Sequence, residues 1–203
     1  MDRLVKMSNA VTSSTSMKSM SAPIYNSQPW NDIRTPLLST NVSGSNPPTI
    51  ARFAQNGTSQ GVFLYSFASD AIEREVYFTV QMPHDYAEGT NIRPHLHFSI
   101  TTSVTGTTQW GLEYTVAPVN GTYPSTTTII TGTKTISSAA PYVSQILQFP
   151  EIANSTVGIS TIFVCRLFRY ATPTDTLAAT IYALEIDFHY QSNTAGSRLE
   201  YTK

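Results

Sequence analysis

The sequence predicts an all-β protein, a two-sheet antiparallel sandwich that is jelly-roll-like, has about eight strands and follows an extended N-terminal arm. Three observations predict this fold class. Only 12% of the 203 residues are charged, and no run of good helix formers occurs, which disfavours a helical bundle. Eleven tyrosines and nine phenylalanines suit pleated, half-buried surfaces. Twelve prolines and ten glycines supply the turns between short strands.

Residues 1–49 differ from the rest, because they combine prolines and serines with few alternating apolar positions. We predict that they form an extended arm before a sandwich domain at 50–203. Ordering such an arm costs about 1–2 kcal/mol per residue in backbone entropy, so it needs a surface to pack on. That surface is either the chain's own body or, as we favour, a neighbouring subunit. The apolar residues expected at such contacts are Trp30, Ile33, Leu37 and Leu38.

The first four strands are predicted from apolar runs and from alternation of apolar and polar residues. The first is mainly aromatic and apolar, and the second and third alternate. The fourth follows the tripeptide 105–107, which we interpret as a hairpin turn from the third strand. These strands occupy residues 61–67, 75–81, 93–104 and 109–116.

The last four strands follow the strong turn dipeptide Asn120-Gly121. The fifth is rich in threonine and the sixth is short. The seventh is almost continuously apolar, as in a central strand, and the eighth alternates over a dozen residues. These strands occupy residues 126–136, 142–149, 159–170 and 180–191. The residues of the eighth strand predicted to face the core are Tyr182, Leu184, Ile186, Phe188 and Tyr190.

Eight antiparallel strands in about 150 residues favour a jelly roll, the usual eight-stranded double-sheet closure. An immunoglobulin-like sandwich of seven to nine strands is the alternative, because periodicity does not distinguish the two. The one helical element predicted is a single turn at 70–74.

Histidines form the strongest candidate site. His95 and His97 are two residues apart, so both project from one face of a strand. Glu185, Asp187 and His189 share one face of the last strand for the same reason. If the two strands are neighbours, imidazoles and carboxylates converge, and these are the side chains that bind zinc, iron or manganese.

A His-x-His on a jelly-roll strand also begins the metal motif of the cupins. That motif continues with a carboxylate about four residues later, whereas the next carboxylate here is Glu113. We therefore predict no catalytic residue, no cofactor and no bound metal, with His95, His97 and His189 as the candidate ligands if one binds. The favoured alternative is a hydrogen-bonded polar cluster formed by His84, His95, His97, Asp187 and His189.

The strand at 159–170 carries three further residues with reactive or charged side chains. Cys165 lies in its most apolar part, where a thiol is usually an inert small hydrophobe. Arg166 and Arg169 leave the strand on opposite faces, so one of them needs a buried partner. We predict Glu185 or Asp187 as that partner, and the equally favoured alternative is that both arginines are solvent-facing charges near the strand end.

Carbohydrate chemistry has weaker support in the sequence. Glu73 with Glu75, and Glu185 with Asp187, have the spacing of a glycosidase pair on a strand, but so do most alternating acids. The spacing of Trp110 and Tyr114 favours the core over a sugar-stacking surface. The aromatic residues available for stacking on sugars are Trp30, Trp110, Tyr114 and Tyr123.

Charge and hydropathy narrow the classes of partner. Twelve basic and thirteen acidic side chains nearly cancel, which disfavours a basic nucleic-acid binder. No stretch approaches the ~20 apolar residues that a membrane span requires. Cys165 is the only cysteine, so it forms no internal disulfide, which suits a reducing cytoplasm. We expect neither a nucleic-acid partner nor a membrane partner.

Several motifs resemble a family of uncharacterised virion structural proteins of tailed bacteriophages. The resemblance covers roughly residues 75–203, and Phe98 stands where that family usually has tryptophan. The motifs are Pro83-His84-Asp85-Tyr86, His95-Leu96-His97-Phe98, Trp110-Gly111-Leu112-Glu113-Tyr114, Arg166-Leu167-Phe168-Arg169, Asp187-Phe188-His189-Tyr190 and the segment 196–203.

The resemblance implies a structural component of a virus particle, either a decoration or minor capsid protein or a tail protein, with no enzymatic role. It would be made in the host cytoplasm and located in the virion. The expected partners are copies of itself, in a homo-oligomer such as a trimer, and other virion proteins. The first alternative is a host-glycan-binding module of a tail or fibre, and the second is a cupin-like metalloenzyme.

Overall fold

A computed structural model describes residues 28–42, 44–138, 140–153, 157–193 and 195–202. In these residues ten β-strands form two antiparallel sheets that pack over one apolar core, which confirms the predicted sandwich. A single 3-10 turn, Leu37–Ser39, follows the first strand. The strands are β1 (Trp30–Pro36), β2 (Thr49–Ala54), β3 (Val62–Phe67), β4 (Arg74–Gln81), β5 (Arg93–Ile100), β6 (Gly106–Ala117), β7 (Thr128–Ile136), β8 (Gln145–Gln148), β9 (Ile162–Arg169) and β10 (Ile181–Gln191).

The strand order is that of a jelly roll. Sheet A has the order β2-β3-β10-β5-β8, with β1 also paired to β10, and sheet B has the order β4-β9-β6-β7. β3 pairs with β10, β4 with β9, β5 with β8 and β6 with β7. The chain from β3 to β10 is therefore one long hairpin whose successive pairs alternate between the two sheets. This order differs from that of the immunoglobulin alternative.

Strands β3 to β10 correspond to the eight predicted strands, but the connection from β5 to β6 was predicted wrongly. The segment 105–107 does not close a hairpin, because β5 lies in sheet A and β6 in sheet B. Gly106 has a φ of 151°, and a β-carbon there would lie 2.9 Å from Leu177 Cα. A turn sequence indicates where the chain bends, but not whether the strands on either side pair.

Strand β10 contains an irregularity in its pairing with β5, between Ala183 and Glu185. Such a bulge changes which residues face the core. Ile181 and Ala183 are buried before it, whereas Tyr182 and Leu184 lie only partly buried. The predicted core face is therefore wrong for Tyr182 and Leu184 and right for the three residues predicted after the bulge.

Strand β1 pairs with β10 of its own chain, in register from Trp30 opposite Gln191 to Pro36 opposite Glu185. β3 pairs with only residues 181–183 of that edge of β10. The remaining backbone N–H and C=O groups of the edge therefore bind β1, which satisfies their hydrogen-bonding capacity. The predicted separate arm is thus wrong for the residues of β1, which belong to sheet A.

The four apolar residues predicted at subunit contacts differ in exposure. Leu37 is fully buried in the chain's own core, so its predicted role between subunits is wrong. Ile33 is half-buried and packs against the same core. Trp30 and Leu38 are 44% and 47% exposed. Residues 1–27 of the predicted arm lie outside the described residues.

Arg169 crosses the core from β9 and is 1% exposed. Its Nε and Nη2 atoms donate to the two carboxylate oxygens of Asp175, at 2.9 and 2.8 Å. Its remaining hydrogen bonds reach the carbonyl oxygens of Phe67, Leu177 and Ala179. The acidic partner predicted in β10 is wrong, because β9 and β10 lie in different sheets.

The segment 70–74, predicted as a helical turn, is a bend in which Arg74 Nη2 lies 2.6 Å from Asp70 Oδ2. Leu37–Ser39 is the only helical element among the described residues. In that part of the chain no helix has the length and apolar character needed to cross a bilayer.

Candidate functional site

The histidine cluster lies on the outer face of sheet A, where β5 and β10 are neighbours. The register places His95 opposite Asp187 and His97 opposite Glu185. Directly opposed residues of antiparallel strands share a face, so these four side chains project from the same side of the sheet. The two strands are therefore neighbours, as the predicted convergence of imidazoles and carboxylates requires.

Three of these side chains make close contact. The Nε2 atoms of His95 and His97 are 2.8 Å apart. Asp187 Oδ2 lies 3.5 Å from His95 Nε2 and 3.3 Å from His97 Nε2. The side chains of His95 and Asp187 are largely buried, and that of His97 is 25% exposed. Asp187 Oδ1 is buried and accepts no hydrogen bond within the described residues.

Burial dominates the electrostatics of the cluster. Burial first, and then the neighbouring His189 and His97, lower the pKa of His95 to about 4. Burial, followed by the negative charge of Glu185, raises the pKa of Asp187. At neutral pH His95 is therefore a neutral imidazole with one nitrogen lone pair.

Strand β1 adds two charged residues to the cluster that the sequence analysis missed. Asp32 Oδ1 lies 3.0 Å from His189 Nε2, and Arg34 Nη2 donates to Glu185 Oε2 at 2.7 Å. The one sign of them in the sequence is that the apolar Ile33 lies between two charged residues, which is the pattern of an alternating strand. His189 also packs its ring against that of His95, with ring centres 4.3 Å apart.

His84, predicted as a member of the cluster, has other partners. Its Nδ1 atom is 2.8 Å from Ser197 Oγ, and its Nε2 atom is 3.1 Å from Ser160 Oγ. The prediction of a single polar cluster is therefore wrong for His84. The reason is that His84 lies in the loop after β4, a strand of the other sheet.

A groove of about 480 Å³ adjoins the cluster. His95 and His189 form part of its wall, together with the exposed indole of Trp30. The Arg93 guanidinium lies 4.6 Å from the centre of the Trp30 ring and donates to Glu151 Oε1 at 2.6 Å. The groove thus combines an aromatic side chain with charged hydrogen-bonding groups.

One of the carboxylate pairs considered for glycoside hydrolysis, Glu73 and Glu75, is bound to an arginine on sheet B. Arg166 Nη2 lies 2.6 Å from Glu73 Oε1, and Arg166 Nε lies 2.5 Å from Glu75 Oε2. A third carboxylate, that of Glu113, is 3.0 Å from Arg166 Nη1. Burial alone would raise the pKa of Glu75, but the hydrogen bond and charge of Arg166 lower it. Glu75 is therefore ionised and is not a proton donor at neutral pH.

The remaining candidates occupy structural positions. Cys165 is buried, and burial raises the pKa of its thiol, which leaves it in the unreactive form. Trp110 is fully buried and donates its indole N–H to Thr108 Oγ1 at 2.9 Å. Tyr114 packs against Phe163 in the core. These positions agree with the core placement predicted for Trp110 and Tyr114.

The fold and site together define a jelly-roll protein with a histidine–carboxylate cluster on the outer face of one sheet. No family model and no curated protein matches the chain. Solved structures share its general architecture at 10–11% sequence identity. One is the CBM36-1 domain of a multidomain xylanase from the hindgut metagenome of Trinervitermes trinervoides, with a TM-score of 0.39 over 78% of this chain and 96% of that domain.

Two further structures are similar at the same level. TmCBM61 in complex with β-1,4-galactotriose has a TM-score of 0.33 and covers 81% of this chain and 89% of its own. A structure of infectious bursal disease virus, Gx strain, has a TM-score of 0.36 over 82% of this chain. The match covers only 33% of that viral chain. These similarities are too low to support a functional argument.

Proposed function

We propose that the protein is a structural component of a virus particle and acts through contacts with copies of itself and with other particle proteins. The observation that supports this proposal is that the outer face of sheet A carries aromatic and apolar side chains together with arginines. The resemblance of residues 75–203 to virion proteins supports its assignment to a particle. The proposal assigns no catalytic role to any residue.

One end of the outer face of sheet A carries an aromatic cluster. The ring of Phe53 lies 5.4 Å from that of Tyr142 and 5.4 Å from that of Tyr182. Tyr182 pairs with Ser99, which lies on the same face of β5 as His97. Ile146 pairs with His97 on that face and is 43% exposed. The aromatic cluster and the exposed Ile146 therefore lie on the same face as the histidine cluster.

The charged residues of this face also fit a protein contact. Interfaces are enriched in aromatic residues and arginine and depleted in lysine. Arg34 and Arg93 lie on or beside the outer face of sheet A, and Arg93 packs against the exposed Trp30. Lys134, the only lysine in the described part of the chain, is in β7 of sheet B. A second copy of the chain is the occupant that we propose for this face, in a symmetric oligomer.

The replacement Ile146→Glu tests the oligomer. We expect the full chain to run as an oligomer at micromolar concentration in size-exclusion chromatography with light scattering. Ile146→Glu places a charge in the proposed contact and should weaken association at least about tenfold. Ile129→Glu is the matched control, because Ile129 is also exposed but lies in β7 of sheet B. A monomeric wild-type chain, or equal weakening by the two variants, would contradict the oligomer.

Assignment to a virus particle needs a separate experiment. Antibodies raised against the purified chain should label intact virus particles from the source of the sequence in negative-stain electron microscopy. Mass spectrometry of the same purified particles should detect its peptides. If neither method finds the chain in particles, the structural role in a virion is wrong even if the oligomer exists.

The groove beside Trp30 favours glycan binding as a second candidate function. An exposed aromatic ring beside charged hydrogen-bonding groups is a common arrangement for holding a sugar, although Arg93 covers one region of this ring. Under this alternative, isothermal titration calorimetry against a panel of host glycans should detect binding that Trp30→Ala abolishes. Absence of binding by the wild-type chain would reject it.

A further inference from the structure

His95, His97 and Asp187 bring three potential ligand atoms together between β5 and β10. We propose that these three side chains bind one divalent transition-metal ion of the Zn²⁺ type on the outer face of sheet A. Sequence reasoning named His189 as the third candidate ligand, whereas the structure places Asp187 there. The proposal is independent of the role in a virus particle.

Two of the three distances between the ligand atoms are close to those around a tetrahedral zinc ion, and the third is shorter. The edges of their triangle are 2.8 Å between the imidazole Nε2 atoms and 3.3 and 3.5 Å from these atoms to Asp187 Oδ2. Ligands at about 2.0–2.1 Å from a tetrahedral Zn²⁺ lie about 3.3 Å from each other. A circle through the three atoms has a radius of about 1.9 Å, slightly below that bond length. An ion just outside their plane can therefore contact all three without backbone movement.

Hydrogen bonding alone leaves this triangle incompletely satisfied. A carboxylate only accepts hydrogen bonds, and each neutral imidazole Nε2 atom either donates or accepts one. If His95 and His97 share a hydrogen bond, one Nε2 atom donates and the other accepts. That hydrogen points at the neighbouring imidazole, so Asp187 Oδ2 receives no well-directed donor. If both imidazoles donate to Asp187, their hydrogens crowd each other across 2.8 Å. A cation uses the lone pairs of all three atoms at once.

The charges around the cluster also favour a cation. Asp187, Glu185 and Asp32 supply three carboxylates, and Arg34 supplies one compensating guanidinium, which is bonded to Glu185. Asp187 is buried, and its Oδ1 atom accepts no hydrogen bond from the described residues. A buried carboxylate is costly unless it is paired or bound to a metal.

The structure distinguishes Asp187 from His189 as the third ligand. His189 Nε2 is already 3.0 Å from Asp32 Oδ1, whereas Asp187 Oδ2 contacts both other ligand atoms. The resulting set of two histidines and one carboxylate leaves at least one coordination position for water or another ligand. The set comes from two strands that are far apart in sequence, so it does not require the cupin spacing.

Metal titration of the full chain tests the proposal. After chelator treatment and dialysis, Zn²⁺ is added in a calorimetric titration, and Co²⁺ is added as a spectroscopic probe. We expect about one equivalent of Zn²⁺ to bind and raise the Tm, and Co²⁺ to give the visible absorption of a low-coordinate nitrogen–oxygen site. Binding of less than about one tenth of an equivalent would overturn the proposal.

Three variants test the ligand assignment. His97→Ala should weaken Zn²⁺ binding by more than the roughly 10–100-fold that loss of a residue hydrogen-bonded to a metal ligand costs. Asp187→Asn should weaken it comparably while keeping the side-chain shape. His84→Ala removes an imidazole with other partners and should leave the affinity unchanged. Undiminished binding by His97→Ala, or an equal loss in His84→Ala, would overturn the assignment.

Folding of these variants is checked by circular dichroism before metal is added. His97 is the most exposed of the three ligands, so His97→Ala is the variant expected to keep its fold. If Asp187→Asn fails to fold, His97→Ala and the wild-type titration decide the proposal. His189→Gln should retain Zn²⁺ binding, and its loss there would show that the third ligand has been assigned to the wrong residue.

Discussion

Replacement of Arg169 by methionine is expected to lower the free energy of unfolding by about 3–5 kcal/mol, the usual cost of removing one partner of a buried ion pair. Arg169 makes two hydrogen bonds to Asp175 and three to backbone carbonyl oxygens in the core. Methionine fills part of the volume but donates no hydrogen bond. The carboxylate and the three carbonyls would then be buried with too few partners.

Urea denaturation of the purified chain measures this effect. Asp175 also accepts hydrogen bonds from Thr108 Oγ1 and from the backbone N–H of Gln109, so the loss should spread to β6. Arg34→Met is the matched control, because Arg34 is an exposed arginine in an ion pair. We expect a much smaller change there, since solvent screens the charges. Equal denaturation midpoints for the wild type and Arg169→Met would show that the network does not stabilise the fold.

Leu37→Ala is expected to lower the free energy of unfolding by about 2–5 kcal/mol, as for other fully buried leucines. Leu37 lies in the 3-10 turn after β1 and is completely buried in the core. The alanine variant would lose the buried methyl groups and leave a cavity where β1 reaches the sandwich. Thermal and urea denaturation both measure the loss.

The next residue provides the matched control. Leu38 is 47% exposed, so Leu38→Ala should change stability little. Deletion of residues 1–45 removes β1 as well as Leu37, so it should destabilise the chain more than Leu37→Ala does. Deletion of residues 1–27 leaves every described strand in place and should leave the Tm nearly unchanged. If the 1–45 deletion melts like the full chain, β1 does not stabilise the sandwich.

The strands β3 to β10 were predictable because each carries its own pattern. Alternation of apolar and polar residues reports which face of a strand is buried, and it is contained in six to twelve consecutive residues. β1 was not predicted because its alternation of apolar and polar residues is short and lies between prolines. Leu37 likewise gave no local signal, since its burial depends on the edge that β10 offers to β1.

The candidate site was predictable in part. The two-residue spacings place His95 with His97, and Asp187 with His189, on common faces, and only strand adjacency was missing. The bulge at 183–185 shifts the phase within β10, which period-2 spacing does not reveal. The partners of Arg166 and Arg169 were predicted wrongly because the two arginines lie in sheet B, while the acids proposed from the sequence are in sheet A.

The amino-acid sequence alone determined the all-β class, the position of eight strands and the pairs of side chains that share a strand face. These properties depend on neighbours within about ten residues. The tertiary structure decided which strands pair, that 105–107 passes between sheets, and that Asp187 rather than His189 contacts both His95 and His97. Such contacts join residues about ninety positions apart, so they depend on the packing of the whole chain and leave no local pattern.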